Sequence, residues 1–225
     1  MNTKIINVTE NENLIALQQE VIETHNKIID YSKENAIINK IYKGCIIYIS
    51  PIYLHPKILF LGINPGSGYY REHNQIIQQF TPLNKPDGGY GLWLQLEKCF
   101  NTIGKSKYIE SMVKTNICFF ATYNQYELNL LYKKLPNEFS TYLKNKQKNW
   151  IKTIINEIKP QNILCGGALP LNLIKSLYPN IIITKKGKNV SVCKINDTYI
   201  ISFKRYKNNI IGKLEFLKAL EEYLK

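Results

Sequence analysis

Acidic residues are scarce in this chain: 17 Asp and Glu stand against 30 Lys and Arg, a net charge of +13. A surface of that sign attracts polyanions, with nucleic acid the favoured partner. Part of the excess is compositional, since Ile, Asn and Tyr are also abundant, as AT-rich coding produces. Cysteine is sparse too. The five residues Cys45, Cys99, Cys118, Cys165 and Cys193 are widely separated, with no C-x-x-C pair. That spacing speaks against a zinc site, an iron–sulfur cluster or a disulfide framework. They read as reduced core thiols of a cytoplasmic protein, and no metal or cofactor is expected. Long apolar runs are missing. Ile58 to Ile63 is among the longest and is far too short to span a bilayer. The opening MNTKIINVTENENL lacks the apolar stretch of a secretion signal. No membrane partner is expected.

What is present is a globular balance. Hydrophobic residues make up 44% of 225. A chain of this length can bury roughly 70% of its unfolded surface without a disulfide or metal. Leu14, Leu17, Val21, Ile22, Ile28 and Ile29 recur at near-helical spacing, predicting a helix over residues 9–34 with Thr9 as its cap. Buried strands are predicted at 57–63 (KILFLGI), 112–121, 162–166 (NILCG) and 199–203, with a shorter apolar run at 45–49. Helices are predicted at 92–103, 128–135, 141–158, 168–177 and 210–225. Lys185-Lys186-Gly187-Lys188 reads as a hairpin turn between strands 181–184 and 190–195. Continuously apolar strands alternating with helices predict a three-layer α/β/α fold with a mainly parallel central sheet. The expectation is one domain over residues 1–225, with residues 1–44 as an N-terminal helical extension. In such sheets a site forms beyond the carboxyl ends of the strands. The loops after Ile63, Phe119 and Phe203 therefore matter most.

The first of these loops is the most informative. The strand Leu59-Phe60-Leu61 runs straight into Gly62-Ile63-Asn64-Pro65-Gly66. Pro65 fixes φ, Gly66 permits a tight turn, and Gly62 leaves room for a close approach to the backbone. Asn64 is thereby held at the mouth of a site. As a bare tripeptide, Asn-Pro-Gly is also simply a good strand-exit turn. Two further stretches accompany it: Lys114-Thr115-Asn116-Ile117-Cys118, and Ile158-Lys159-Pro160-Gln161-Asn162-Ile163-Leu164-Cys165-Gly166-Gly167-Ala168.

In order and spacing these three stretches resemble the uracil-DNA glycosylase superfamily, over about residues 57–207. The GINPG motif is most similar to the mismatch-specific uracil/thymine and single-strand-selective branches. The resemblance implies a metal-free, monofunctional DNA glycosylase that hydrolyses the N-glycosidic bond of a flipped uracil or modified pyrimidine. It makes Asn64 the residue that positions water, and Asn116 the amide that reads the base. Gly62, Ile63, Pro65 and Gly66 would line the base. An aromatic stacking partner is expected about a dozen residues beyond Asn64. That spacing falls on Ile76 or Ile77, leaving Phe80 and Tyr70 as alternatives. His73, one of three histidines, is a candidate for protonating the leaving group, although a lone loop histidine is more often just exposed.

The sequence departs from that family at the last motif. Active branches carry His-Pro-Ser or Asn-Pro-Ser after the last strand. Here the region reads Ser202-Phe203-Lys204-Arg205-Tyr206-Lys207, with neither His nor Pro. Ser202, Lys204, Arg205 and Lys207 become candidate DNA contacts, since cations there suit phosphates, as they would any solvated loop. A phage-modified base, and hence antiviral defence, is one variant of the reading. The rival is a DNA-binding module of the same fold that does not cut. An enzyme of free nucleotides is a third reading, and Gly166-Gly167-Ala168 lacks the phosphate-loop pattern it would need. DNA is the expected partner, and a monomer the expected state.

Overall fold

In the computed structural model of the chain, residues 4–5, 10–66, 75–77, 91–207 and 209–224 are described. A short strand, β1 (Lys4–Ile5), precedes the helices α1 (Glu12–Glu34) and α2 (Ala36–Ile41). The cap of α1 is Asn11 rather than Thr9: its side chain accepts from Leu14 N at 3.0 Å, while its amide donates to Glu157 at 2.8 Å. The helix ends at Glu34, as the spacing predicts; Asn35 turns extended and caps α2, a second helix the sequence did not mark, in the same way. Asn11→Ala removes both the cap and the link to Glu157. It is expected to cost about 1–2 kcal/mol in urea-melt stability.

Next come β2 (Gly44–Ile46), β3 (Tyr53–Leu54), β4 (Leu59–Gly62), β5 (Gln75–Ile77), α3 (Gly91–Thr102), α4 (Lys107–Glu110) and β6 (Val113–Asn116). The chain continues through α5 (Gln125–Lys134), α6 (Asn137–Ile158), β7 (Asn162–Cys165) and α7 (Ala168–Leu177). It closes with β8 (Ile182–Lys186), β9 (Val190–Ile195), β10 (Thr198–Phe203), β11 (Arg205–Tyr206), β12 (Asn209–Ile210) and α8 (Lys213–Tyr223).

Six strands form the central sheet in the order β6-β4-β7-β10-β9-β8. The first four are parallel; β9 runs antiparallel to β10, and β8 antiparallel to β9, so only β9 opposes the rest. The strand at 112–121 is shorter than predicted. Beyond Asn116 the chain leaves β6 and pairs with β2, through Ile46 N to Phe119 O and Ala121 N to Gly44 O. The segment after β2 then runs back along β6: Ile49 N donates to Lys114 O at 3.0 Å, and Thr115 Oγ1 to Ile47 O at 2.6 Å. These bonds cover an edge that β6 would otherwise leave open. At the other side of the sheet β8 is an edge strand whose Ile182 and Ile183 are exposed.

Helices cover both faces. On one, Leu59, Leu61, Val113, Ile163 and Ile200 meet α1, α2, α5, α6 and α7. On the other, Phe60, Leu164, Ile201 and Phe203 meet α3 and α8. The N-terminal helices share the first of these cores, with Leu14, Val21, Ile28 and Ile38 buried beside Trp150 and Ile154. Trp150 stacks on Phe119 and donates its indole N–H to Glu20 at 2.9 Å, tying α6 to α1. All five cysteines are buried free thiols. Burial pushes Cys45 up to about 12 and Cys118 up to about 11, so both stay protonated and unreactive. No helix among the described residues is long and apolar enough to cross a membrane.

Candidate functional site

Strand alternation decides which side chains meet at the carboxyl ends of the parallel strands. Phe60 and Gly62 of β4 face the α3–α8 side, and their partners in register are Lys114 and Asn116 of β6. Leu164 continues the row of Phe60 on β7. Gly62 and Gly166 are both sites of close approach. A Cβ on Gly62 would lie 2.2 Å from Asn116 Oδ1, and one on Gly166 would lie 3.0 Å from the Phe60 ring. The two glycines thus admit the Asn116 amide and the Phe60 ring over the strand ends. Trp93, in the first turn of α3, adds its indole from above.

Two polar groups of this cluster are buried in unusual surroundings. Asn116 is 4% exposed, and its Nδ2 has no hydrogen-bond partner among the described residues. Such groups are uncommon, because each costs about 1–3 kcal/mol when left unsatisfied. Lys114 is 7% exposed, with Nζ 2.7 Å from the centroid of the Trp93 ring. Among the described residues no carboxylate lies within ion-pair distance of it, and Glu97 acts only through space. The indole face favours the ammonium by ~2 kcal/mol. Desolvating a cation costs several kcal/mol, so burial wins. It pulls Lys114 down to about 6, and Glu97 offsets that only in part.

Asn64 stands at the rim. It is half-buried, and its Nδ2 donates to Thr122 Oγ1 at 3.0 Å and Pro65 O at 3.1 Å. Thr122 in turn donates to Asn124 O at 2.9 Å, so the GINPG turn is tied to the loop before α5. That loop displays Tyr123, 71% exposed, and Tyr126, 74% exposed. Its backbone is held by the Asn124 cap on Glu127 N and by Tyr123 N to the Glu127 carboxylate. Ile63 is half-buried, Pro65 buried and Gly66 exposed.

The last strand leads into a two-stranded hairpin, β11–β12, rather than an open loop. Lys204, Tyr206 and Lys207 are exposed on it, and Arg205 is half-buried. Ser202 is not available as a phosphate contact here. It is buried, and its hydroxyl donates to Gly167 O at 3.1 Å. At the 185–188 hairpin, Lys185 pairs with Glu222 at 3.3 Å. Tyr70, His73 and Phe80 lie outside the described residues.

Gly62 and Asn116 thus meet at the ends of β4 and β6, and Asn64 follows two residues after Gly62, tied to Thr122. The sequence did not announce Phe60, Trp93, Lys114, Tyr123 or Tyr126. A signal for Lys114 was present: a lysine inside a strand otherwise built for burial. Away from this mouth, a cleft of about 480 Å³ opens between the end of α1 and the α5–α6 junction, beside Glu34 and Lys134. None of the candidate residues lines it. Among the described residues no group of His, Cys, Asp and Glu is placed to hold a metal.

No family model matches the chain, and no curated protein matches it significantly.

Proposed function

We propose that the protein is a DNA glycosylase of the uracil-DNA glycosylase type, which takes a flipped pyrimidine into the mouth formed by β4, β6 and β7. The observation that carries this reading is the Asn116 carboxamide, buried over Gly62 with an unspent donor. An amide offers both a donor and an acceptor, the pattern needed to read the edge of a pyrimidine. Phe60 and Trp93 supply aromatic surface beside it, where stacking contributes ~1–3 kcal/mol per base. Asn64 has its amide nitrogen committed to Thr122 and Pro65, which orients the oxygen to accept from a water below the sugar. An amide does not titrate, so Asn64 contributes by positioning rather than by removing a proton. The exposed Lys204, Tyr206 and Lys207, together with Tyr123 and Tyr126, suit the phosphates and unstacked bases around an extruded nucleotide.

The test is a panel of labelled oligonucleotides carrying uracil, mismatched thymine or modified cytosines, single- and double-stranded. DNA from phages with modified bases is run alongside, which bears on a role in defence. Incubation followed by alkali is expected to break the strand at one class of base. Asn64→Ala is expected to slow that cleavage about 10²-fold without changing the melting temperature. The missing His and Pro after β10 favour a second reading, a module that binds DNA without cutting. Salt-sensitive binding with no alkali-labile sites on any substrate would establish the module instead.

A further inference from the structure

Breaking an N-glycosidic bond places negative charge on the departing base, and a donor must meet it. In the region after β10 the sequence holds no histidine for that task. Lys114 precedes Asn116 by two residues on the same face of β6, about 6.6 Å along the strand. Its ammonium lies over the Trp93 ring of α3, and Phe60 of β4 is its partner in register. A buried amide donor without a partner among the described residues, and beside it a desolvated cation whose neighbour is an aromatic face rather than a carboxylate, point to one shared ligand.

We propose that Lys114 is a catalytic residue, whose ammonium donates to the oxygen of the leaving base as the bond to the sugar breaks. This rests on the glycosylase reading and assigns to β6 a task that the last loop cannot perform. The C1′–N bond breaks with its electron pair passing to the base, where the charge spreads onto a carbonyl oxygen. The Lys114 ammonium gives its proton to that base. A water held by Asn64 adds to C1′, and the proton it releases returns to the amine. One water is consumed, and a free base and an abasic sugar result.

The surroundings make the charge state conditional. Trp93 and Glu97 face Lys114 from α3, Phe60 from β4, Leu164 lies one strand further on β7, and Asn116 is its neighbour on β6. Glu97 is the titratable group among them. Burial pulls the amine down to about 6, and Glu97 acts the other way. The ammonium is the working form, and an anion opposite it restores the charge.

The experiment is the pH dependence of kcat/KM for the wild type on its best substrate, beside Lys114→Met and Lys114→Arg. For the wild type, kcat/KM is expected to fall about tenfold per pH unit above about pH 6. Lys114→Met is expected to lose ~10²-fold at pH 6 and to show a flat profile there. Lys114→Arg is expected to recover part of the rate and to keep it at pH 8, since guanidinium does not titrate. Melting curves for each variant establish that it is folded. A wild-type profile that is flat from pH 6 to 8, or a folded Lys114→Met with the wild-type profile, overturns the proposal while leaving the glycosylase reading intact. Absence of cleavage by the wild type on every base overturns both.

Discussion

Replacing Lys114 with methionine is expected to make the folded protein more stable at pH 7, even as it removes activity. The sign follows from proton counting. Unfolded, a lysine titrates near 10.4; folded, Lys114 titrates at about 6, because burial disfavours its charge. Between those values the unfolded chain binds a proton that the folded chain does not. Stability contributed by this group therefore rises with pH through that window, by up to about 1.4 kcal/mol per unit. Below pH 6 both states carry the charge, and the folded state bears the whole desolvation cost. Methionine has similar length and no charge, so the advantage of the variant is largest at pH 6 and shrinks toward pH 10. Urea melts of both proteins at pH 6, 7.5 and 9 measure the difference directly. A gap that does not change with pH would mean that the amine is not desolvated as described. A stabilising substitution at a residue needed for activity is the usual mark of a functional site, where local rules are broken for chemistry.

Gly62→Ala is expected to have the largest effect on activity of any single-methyl change. The added Cβ would sit 2.2 Å from Asn116 Oδ1, closer than carbon and oxygen can approach. Asn116 is buried and its backbone is paired with β4, so its amide must turn out of its place beside Gly62, where the proposed reading has it face the base. Base excision is expected to fall about 10²- to 10³-fold, the loss typical when one positioned donor is removed. Asn116→Ala is the comparison, since it removes the same amide and leaves the end of β4 alone; its loss is expected to match that of Gly62→Ala. A loss in Gly62→Ala with a rate near that of the wild type in Asn116→Ala would mean that the strand end, rather than the amide, is what the added methyl disturbs.

The parts of this fold legible in the sequence were those set by local pattern. KILFLGI and NILCG are continuously apolar and end in turn residues, and they form β4 and β7 in the middle of the sheet. The helix ending at Ile158 stops where expected, before Pro160, with Lys159 in a left-handed cap. What depends on distant partners was not legible. The run at 45–49 reads as a short apolar piece, and only the fold shows it lying along β6 and finishing its hydrogen bonds. The end of the first helix at residue 34 was legible, but α2 was not, because its six residues are too few to show a helical period. At the site, Asn64 stood out because Pro65 and Gly66 flank it. Lys114 did not, since the four residues of β6 carry no apolar alternation to mark which side it faces. Tyr123 and Tyr126 were invisible for a related reason: aromatics are ordinarily buried, and only the Asn64–Thr122 link brings these two to the rim.

The uncovered border of the sheet has its own bearing on how copies of this protein behave in a crowded solution. Along β8, Ile182 and Ile183 are apolar and open, and strands left so tend to recruit their like. Here the same strand continues into Lys185 and Lys186. Lys185 is paired with Glu222, while Lys186 is exposed, so a second copy pairing along this strand would have to accommodate that ammonium. A charge placed so disfavours edge-to-edge pairing.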